Sequence, residues 1–193
     1  MRLRTMVCTG HYRDKMGAKN ATLKLHEWQI MYLLTGYLYD QLHLKNCDCD
    51  CMTDNKLTDK VKRINLMGYD LALDLHMNAY KGSSLGHLCM YWRNSQKSKN
   101  YALCINESMN HNKTRSLIQV NSLTERGAYF LSKTNCSAVI VEIGFIDCLT
   151  DLQTCLINVG SIADNIASGV VKGYYSNMPQ DEKNTLVVRN GVT

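Results

Sequence analysis

Strand-like and helix-like segments alternate along most of this 193-residue chain, and that alternation restricts its fold more than any other feature. Apolar and β-branched residues concentrate in residues 3–9, 69–75 and 138–143, which we expect to be buried strands. Residues 26–42 and 57–67 instead place apolar side chains at helical spacing. Strands that are separated by helices pair in parallel, so the sequence predicts an α/β fold. We expect a mainly parallel twisted β-sheet of about six strands with helices on both faces.

The remaining segments extend this prediction. Further strands are predicted at 45–52 and 86–92, a helix at 95–110, a short helix near 114–121 and one long final helix at 151–175. The chain has a single proline and no serine- or glycine-rich linker. We therefore expect one domain at residues 1–176, followed by a polar tail or linker at 177–193.

The composition, with 45% hydrophobic and 20% charged residues, is that of an ordinary globular protein. No segment approaches the roughly 20 apolar residues of a membrane helix, and the N-terminus lacks the apolar core of a signal peptide. We therefore expect no membrane insertion, and synthesis in the cytoplasm without a signal peptide. The nine cysteines are an odd number in such a chain, which favours free thiols.

The net charge of +5 suits an anionic polymer partner such as nucleic acid or cell wall. The basic residues are scattered, however, which is typical of an ordinary solvated surface. We expect no nucleic-acid partner, and we favour a monomer.

Three residues that can carry chemistry stand at the ends of predicted strands. His11 and His76 each follow a strand, and Glu142 lies at the end of the apolar strand AVIVE. Because the carboxyl ends of parallel strands meet at one edge of a sheet, these side chains should lie close together. Two histidines and a carboxylate are a common zinc set, and a further carboxylate is then needed as general base. Glu27 and Glu142 are the available pair.

Five motifs, taken in order, resemble the zinc-dependent N-acetylmuramoyl-L-alanine amidases of cell-wall remodelling and phage lysis. They are TGHYRDKMGA at 9–18, LHEWQ at 25–29, KRIN at 62–65, DLHMNA at 74–79 and VEIGFID at 141–147. The similarity spans residues 3–175. Tyr12 and Asp74 depart from it, since glycine and serine are usual in the family at these positions.

The resemblance implies a role for each matching residue. His11, Glu27 and His76 would bind Zn²⁺, and Glu142 would be the catalytic glutamate. Asn78 and Arg126 are candidate substrate-binding residues. Residues 1–176 would then form a zinc amidase catalytic domain that cleaves peptidoglycan between N-acetylmuramic acid and L-alanine. The expected setting is a phage lysin that is made in the bacterial host cytoplasm and acts on the cell wall.

Several alternatives stay open. The chain could be another zinc hydrolase on the same scaffold, a peptidase or a deacetylase, or a non-catalytic wall-binding module. His26 could compete for the metal, His87 could contact substrate, and His111 is expected at the surface. The run NCDCDCMTD at 46–54 could hold a second metal or a redox site, or it could be a strand whose cysteines lie in the core.

Overall fold

A computed structural model describes residues 2–183 and shows six strands and six longer helices over that range. The strands are β1 Arg4–Thr9, β2 Asp48–Met52, β3 Leu71–Asn78, β4 Leu88–Trp92, β5 Ile118–Val120 and β6 Ser137–Phe145. The helices are α1 Glu27–Leu44, α2 Leu57–Met67, α3 Gln96–Ser108, α4 Ala128–Lys133, α5 Leu149–Ile157 and α6 Val159–Asn177.

The strands form one sheet in the order β2-β1-β3-β6-β4-β5. All neighbouring strands run parallel except β4, which is antiparallel to β6. Thr9 pairs with Leu75, and His76 pairs with Glu142, so β1, β3 and β6 end at the same edge of the sheet. The prediction of a mainly parallel α/β sheet of six strands is confirmed.

Helices cover both faces of the sheet. On one face, α1, α3, α5 and α6 bury a large apolar cluster that includes Leu34, Leu73 and Ile166. On the other face, α2 and α4 bury a smaller cluster around Ile64 and Phe130. Because both faces are covered, the central strands are almost continuously apolar, as is usual for parallel sheets.

Two predicted helices were wrong. The segment near 114–121 contains β5 instead of a helix, because Val120 is buried and pairs with Trp92 at the end of the sheet. The single helix predicted at 151–175 is two helices, α5 and α6, which meet at Asn158. Over residues 2–183, no single helix is long and apolar enough to cross a membrane. The pair α5 and α6 reaches that length and composition together, but it is bent by 77°.

The predicted tail falls only partly within this range. α6 ends at Asn177, and residues 180–183 are helical. Residues 184–193 lie outside the described residues, so the domain boundary stays a prediction. The nine cysteines are free; Cys47 and Cys49 are buried, whereas Cys51 is exposed at the sheet edge.

Candidate active site

The structure brings His11, Glu27 and His76 together at the carboxyl edge of the sheet. The Nε2 of His11 lies 3.0 Å from Oε2 of Glu27, and Nδ1 of His76 lies 2.8 Å from Oε1 of the same carboxylate. One nitrogen from each ring and one carboxylate oxygen lie within 4.8 Å of one another. This is the spacing of a cluster that could hold one cation.

Local backbone structure holds Glu27 in this position. It is the first residue of α1, and its buried carboxylate accepts hydrogen bonds from the backbone N–H of Met77 at 3.1 Å and of Ala18 at 3.3 Å. His11 follows β1 with a φ of 65°, a left-handed conformation that costs roughly 1–2 kcal/mol for a residue with a Cβ. The surrounding contacts therefore fix both side chains.

Two glycines make room for the cluster. A Cβ at Gly10 would lie 2.6 Å from Nδ1 of His76, and a Cβ at Gly17 would lie 2.5 Å from the ring of His11 and 2.6 Å from Glu27. Gly17 also has a φ of +76°. Any other residue at these positions would displace the side chains of the cluster.

The cluster changes the acid–base properties of its members. Burial disfavours the charge on Glu27, but hydrogen bonds from His11 and His76 outweigh it and hold the pKa of this carboxyl well below its usual range. Burial lowers the pKa of His76, but Asp74 and Glu27 outweigh it and raise that pKa to about 10. These contacts therefore favour the ionised form of Glu27 and the protonated form of His76.

Glu142 lies beside this cluster on β6 and is only 1% exposed. Its Oε1 accepts a hydrogen bond of 2.5 Å from Nη2 of Arg126. Its Oε2 is buried and has no hydrogen-bond partner among residues 2–183. Burial raises the pKa of Glu142, while the positive charges of His76 and Arg126 oppose the rise. A carboxylate in this state is suited to accept a proton.

A cavity of about 290 Å³ opens onto the site. Its polar side is formed by the cluster histidines, Glu142 and several cations, and its apolar side lies against α2 and α4. The lining residues are His11, Tyr12, Lys15, Asn55, Leu57, Lys60, Asp74, His76, Arg126, Gly127, Phe130, Ile140 and Glu142. The cavity therefore opens onto both the cluster and Glu142.

The two candidate substrate-binding residues contact each other. Arg126 donates from Nη1 to Oδ1 of Asn78 at 2.9 Å, in addition to its bond to Glu142. Arg126 lines the cavity. Their role toward substrate stays a prediction.

Comparison with protein families supplies the identity. The family model described as N-acetylmuramoyl-L-alanine amidase matches residues 5–173. This chain belongs to the N-acetylmuramoyl-L-alanine amidase family. The prediction of a hydrolase of this kind is confirmed, because the match covers most of the chain.

Solved structures share the fold of this amidase chain. An N-acetylmuramoyl-L-alanine amidase from Clostridium difficile 630 is 22% identical, with a TM-score of 0.76 over 91% of this chain and 96% of that one. The catalytic domain of the CD27L endolysin targeting Clostridia Difficile is 23% identical, with a TM-score of 0.76 over 88% of this chain and 97% of that one. Cwp6 from Clostridium difficile is 20% identical with a TM-score of 0.80 over 90% of this chain, which spans 29% of Cwp6. Curated protein sequences gave no match.

Sequence reasoning missed the buried ion pair between Lys60 and Asp74 beside the cluster. Lys60 is 2% exposed, although scattered basic residues were expected on a solvated surface, and its Nζ lies 3.0 Å from Oδ1 of Asp74. Burial disfavours the charge on Asp74, but Lys60 and His76 outweigh it and lower its pKa. The available signal was an aspartate between two leucines in a buried strand, because such a carboxylate requires a cationic partner.

Three other histidines lie outside the cluster of His11, Glu27 and His76. His26 precedes α1, and its backbone N–H donates to Gln29 at 2.8 Å. His87 is fully buried, and its Nδ1 lies 2.6 Å from Oδ1 of Asn112, which favours a structural role over the alternative of a substrate contact. His111 is half-buried against His87 with ring centroids 5.2 Å apart, and the prediction of a surface position was wrong.

Proposed function

We propose that this chain uses Zn²⁺ to hydrolyse the amide bond between N-acetylmuramic acid and L-alanine in bacterial peptidoglycan. The observation that carries the proposal is the cluster of His11, Glu27 and His76 next to a buried Glu142 that has one unpartnered oxygen. The chain's membership of the amidase family supports the choice of bond.

The residues of the cluster fit zinc. Two imidazole nitrogens and one carboxylate oxygen form a donor set that is typical of catalytic zinc sites, which keep one position open. Three protein ligands are too few for a closed structural site. We therefore assign His11, Glu27 and His76 as ligands. When bound, zinc would polarise the carbonyl of the substrate amide and lower the pKa of water toward ~7.

We assign both proton transfers of the reaction to Glu142. Arg126 occupies its Oε1, so the free Oε2 is the atom that accepts a proton from the attacking water. The same oxygen then returns the proton to the nitrogen of the departing alanine. Asn78 is held by Arg126 beside this path, and we assign both to orientation of the substrate.

The cavity walls complete the site. Leu57, Phe130 and Ile140 form an apolar side that limits access of bulk water to the reacting groups. Electrostatic interactions gain strength where water is excluded. Lys15 on the polar side has no ion pair among residues 2–183, and it suits a carboxylate of a stem peptide.

Digestion of purified peptidoglycan tests the proposal. We expect products with a new L-alanine amino terminus, identified by mass spectrometry, and loss of cleavage with a chelator that is reversed by zinc. Released acetate would instead identify a deacetylase, and a new amino terminus elsewhere would identify a peptidase. Zinc binding without any product would identify a wall-binding module.

We further assign the enzyme to phage lysis, which the similarity to an endolysin catalytic domain supports. Purified protein added to susceptible cells should lower culture turbidity. Digestion of purified wall without lysis of cells would favour a role in wall remodelling instead.

A further inference from the structure

A buried ion pair between Lys60 and Asp74 contacts His76, one of the cluster histidines. Lys60 reaches from α2 to Asp74 on β3, and the two side chains are 3% and 5% exposed. Removing two charges from water costs free energy that their attraction offsets only with good geometry and further hydrogen bonds. The pair has those bonds, because Lys60 also donates to the carbonyl of Thr9 at 2.6 Å.

Asp74 contacts the side of the His76 ring that faces away from Glu27. The Nε2 of His76 lies 3.1 Å from Oδ2 of Asp74, whereas Nδ1 faces Oε1 of Glu27. A carboxylate can only accept a hydrogen bond, so Asp74 keeps a hydrogen on Nε2. Nδ1 is then the nitrogen that releases its proton and offers its lone pair when a cation binds.

Lys60 links the two strands that carry the histidines. Its bond to the Thr9 carbonyl fixes the end of β1 two residues before His11. Its bond to Asp74 fixes β3 two residues before His76. One ammonium group therefore adds a side-chain link between two strand ends that the sheet already pairs, next to both cluster histidines.

We propose that Lys60 and Asp74 are positioning residues for the metal: Asp74 fixes the ring orientation and the Nε2–H tautomer of His76, and Lys60 fixes Asp74 against the end of β1. This inference rests on the proposed function, since it takes His76 as a zinc ligand.

Zinc affinity tests this assignment without any measurement of activity. The dissociation constant of the full chain for Zn²⁺ is measured by competition with a chromophoric chelator. Loss of such a supporting residue typically weakens metal binding 10–100-fold, and we expect that change for Asp74→Asn. The double variant Lys60→Met/Asp74→Leu leaves no unpaired buried charge, which favours folding, and should lose the same affinity.

A matched control removes a different ion pair. Lys45 and Asp164 are 2.8 Å apart but far more exposed, and they lie outside the cavity. Lys45→Met/Asp164→Leu should keep the affinity of the unsubstituted chain. Thermal unfolding of each metal-free variant shows that the compared proteins are folded.

The tautomer of His76 is measured on the unsubstituted, zinc-bound chain by ¹⁵N NMR, so this result does not depend on how the variants fold. We expect the proton on Nε2. A proton on Nδ1, or unchanged zinc affinity in the folded variants, overturns this inference but leaves the proposed function standing. An unsubstituted chain that does not bind zinc overturns the proposed function and this inference with it.

Discussion

Replacement of Glu142 by glutamine should separate catalysis from metal binding and from folding. The amide has the size of the carboxylate but cannot take up a proton at Oε2. General-base catalysis contributes roughly 10²–10⁴-fold to a rate, so kcat should fall by at least about 100-fold. At about 1.36 kcal/mol for each tenfold, the barrier rises by about 3–5 kcal/mol.

The same substitution should leave the fold intact. Glu142 is 1% exposed with one unpartnered oxygen, so a neutral side chain removes a desolvation cost. Arg126, whose side chain is 53% exposed, can still donate to the amide oxygen of glutamine, and water solvates the rest of its charge. We therefore expect an unchanged or slightly higher melting temperature.

Three measurements on Glu142→Gln check this reasoning: wall digestion rate, zinc content of the purified protein and thermal unfolding. Glu107→Gln, which neutralises an exposed glutamate on α3, is the matched control and should behave like the unsubstituted chain. Retention of more than about a tenth of the rate would refute the assigned role, because it is far outside the expected loss.

Two further predictions concern pH and packing. Arg126 lowers the pKa of Glu142 against burial, so Arg126→Gln should raise that pKa and move the acid limb of kcat to higher pH. Glu142 loses its base form as the pH falls through its pKa. An acid limb of the pH–rate profile at the same pH in both proteins would contradict the expected rise. Gly169→Ala should lower stability by about 1–3 kcal/mol in denaturant unfolding, because its Cβ would lie 2.5 Å from Cα of Ile105. Gly36 lies in the middle of α1, and a Cβ there meets nothing within 4 Å. Gly36→Ala should therefore raise stability by up to ~1 kcal/mol, and a loss of stability would contradict the packing argument.

The convergence of His11 and His76 was accessible from sequence because it depends on strand direction alone. Both follow or end apolar strands, and parallel strands end at one edge. The choice between Glu27 and Glu142 as ligand was not accessible from spacing. Glu27 reaches the cluster from the start of α1, and only the resemblance to the amidase family placed it there.

The features that sequence patterns missed depend on tertiary contacts. The partner of Asp74 lies 14 residues earlier on another element, and no periodicity connects the two. β5 has only 3 residues, too few to show a strand period against a helical one. The bend between α5 and α6 interrupts an apolar pattern that continues on both sides, so the sequence resembles one helix.

The order of strands in the sheet determines when a growing chain can complete it. β6 lies between β3 and β4, although β4 and β5 precede it in sequence. While the ribosome is still making residues 93–136, β1, β2 and β3 can pair, but β4 has no central neighbour to join. Domains of this kind finish folding only after their long-range pairings form. Because Glu142 arrives on that last strand, its buried carboxylate joins His11, Glu27 and His76 only after the chain has been made through β6.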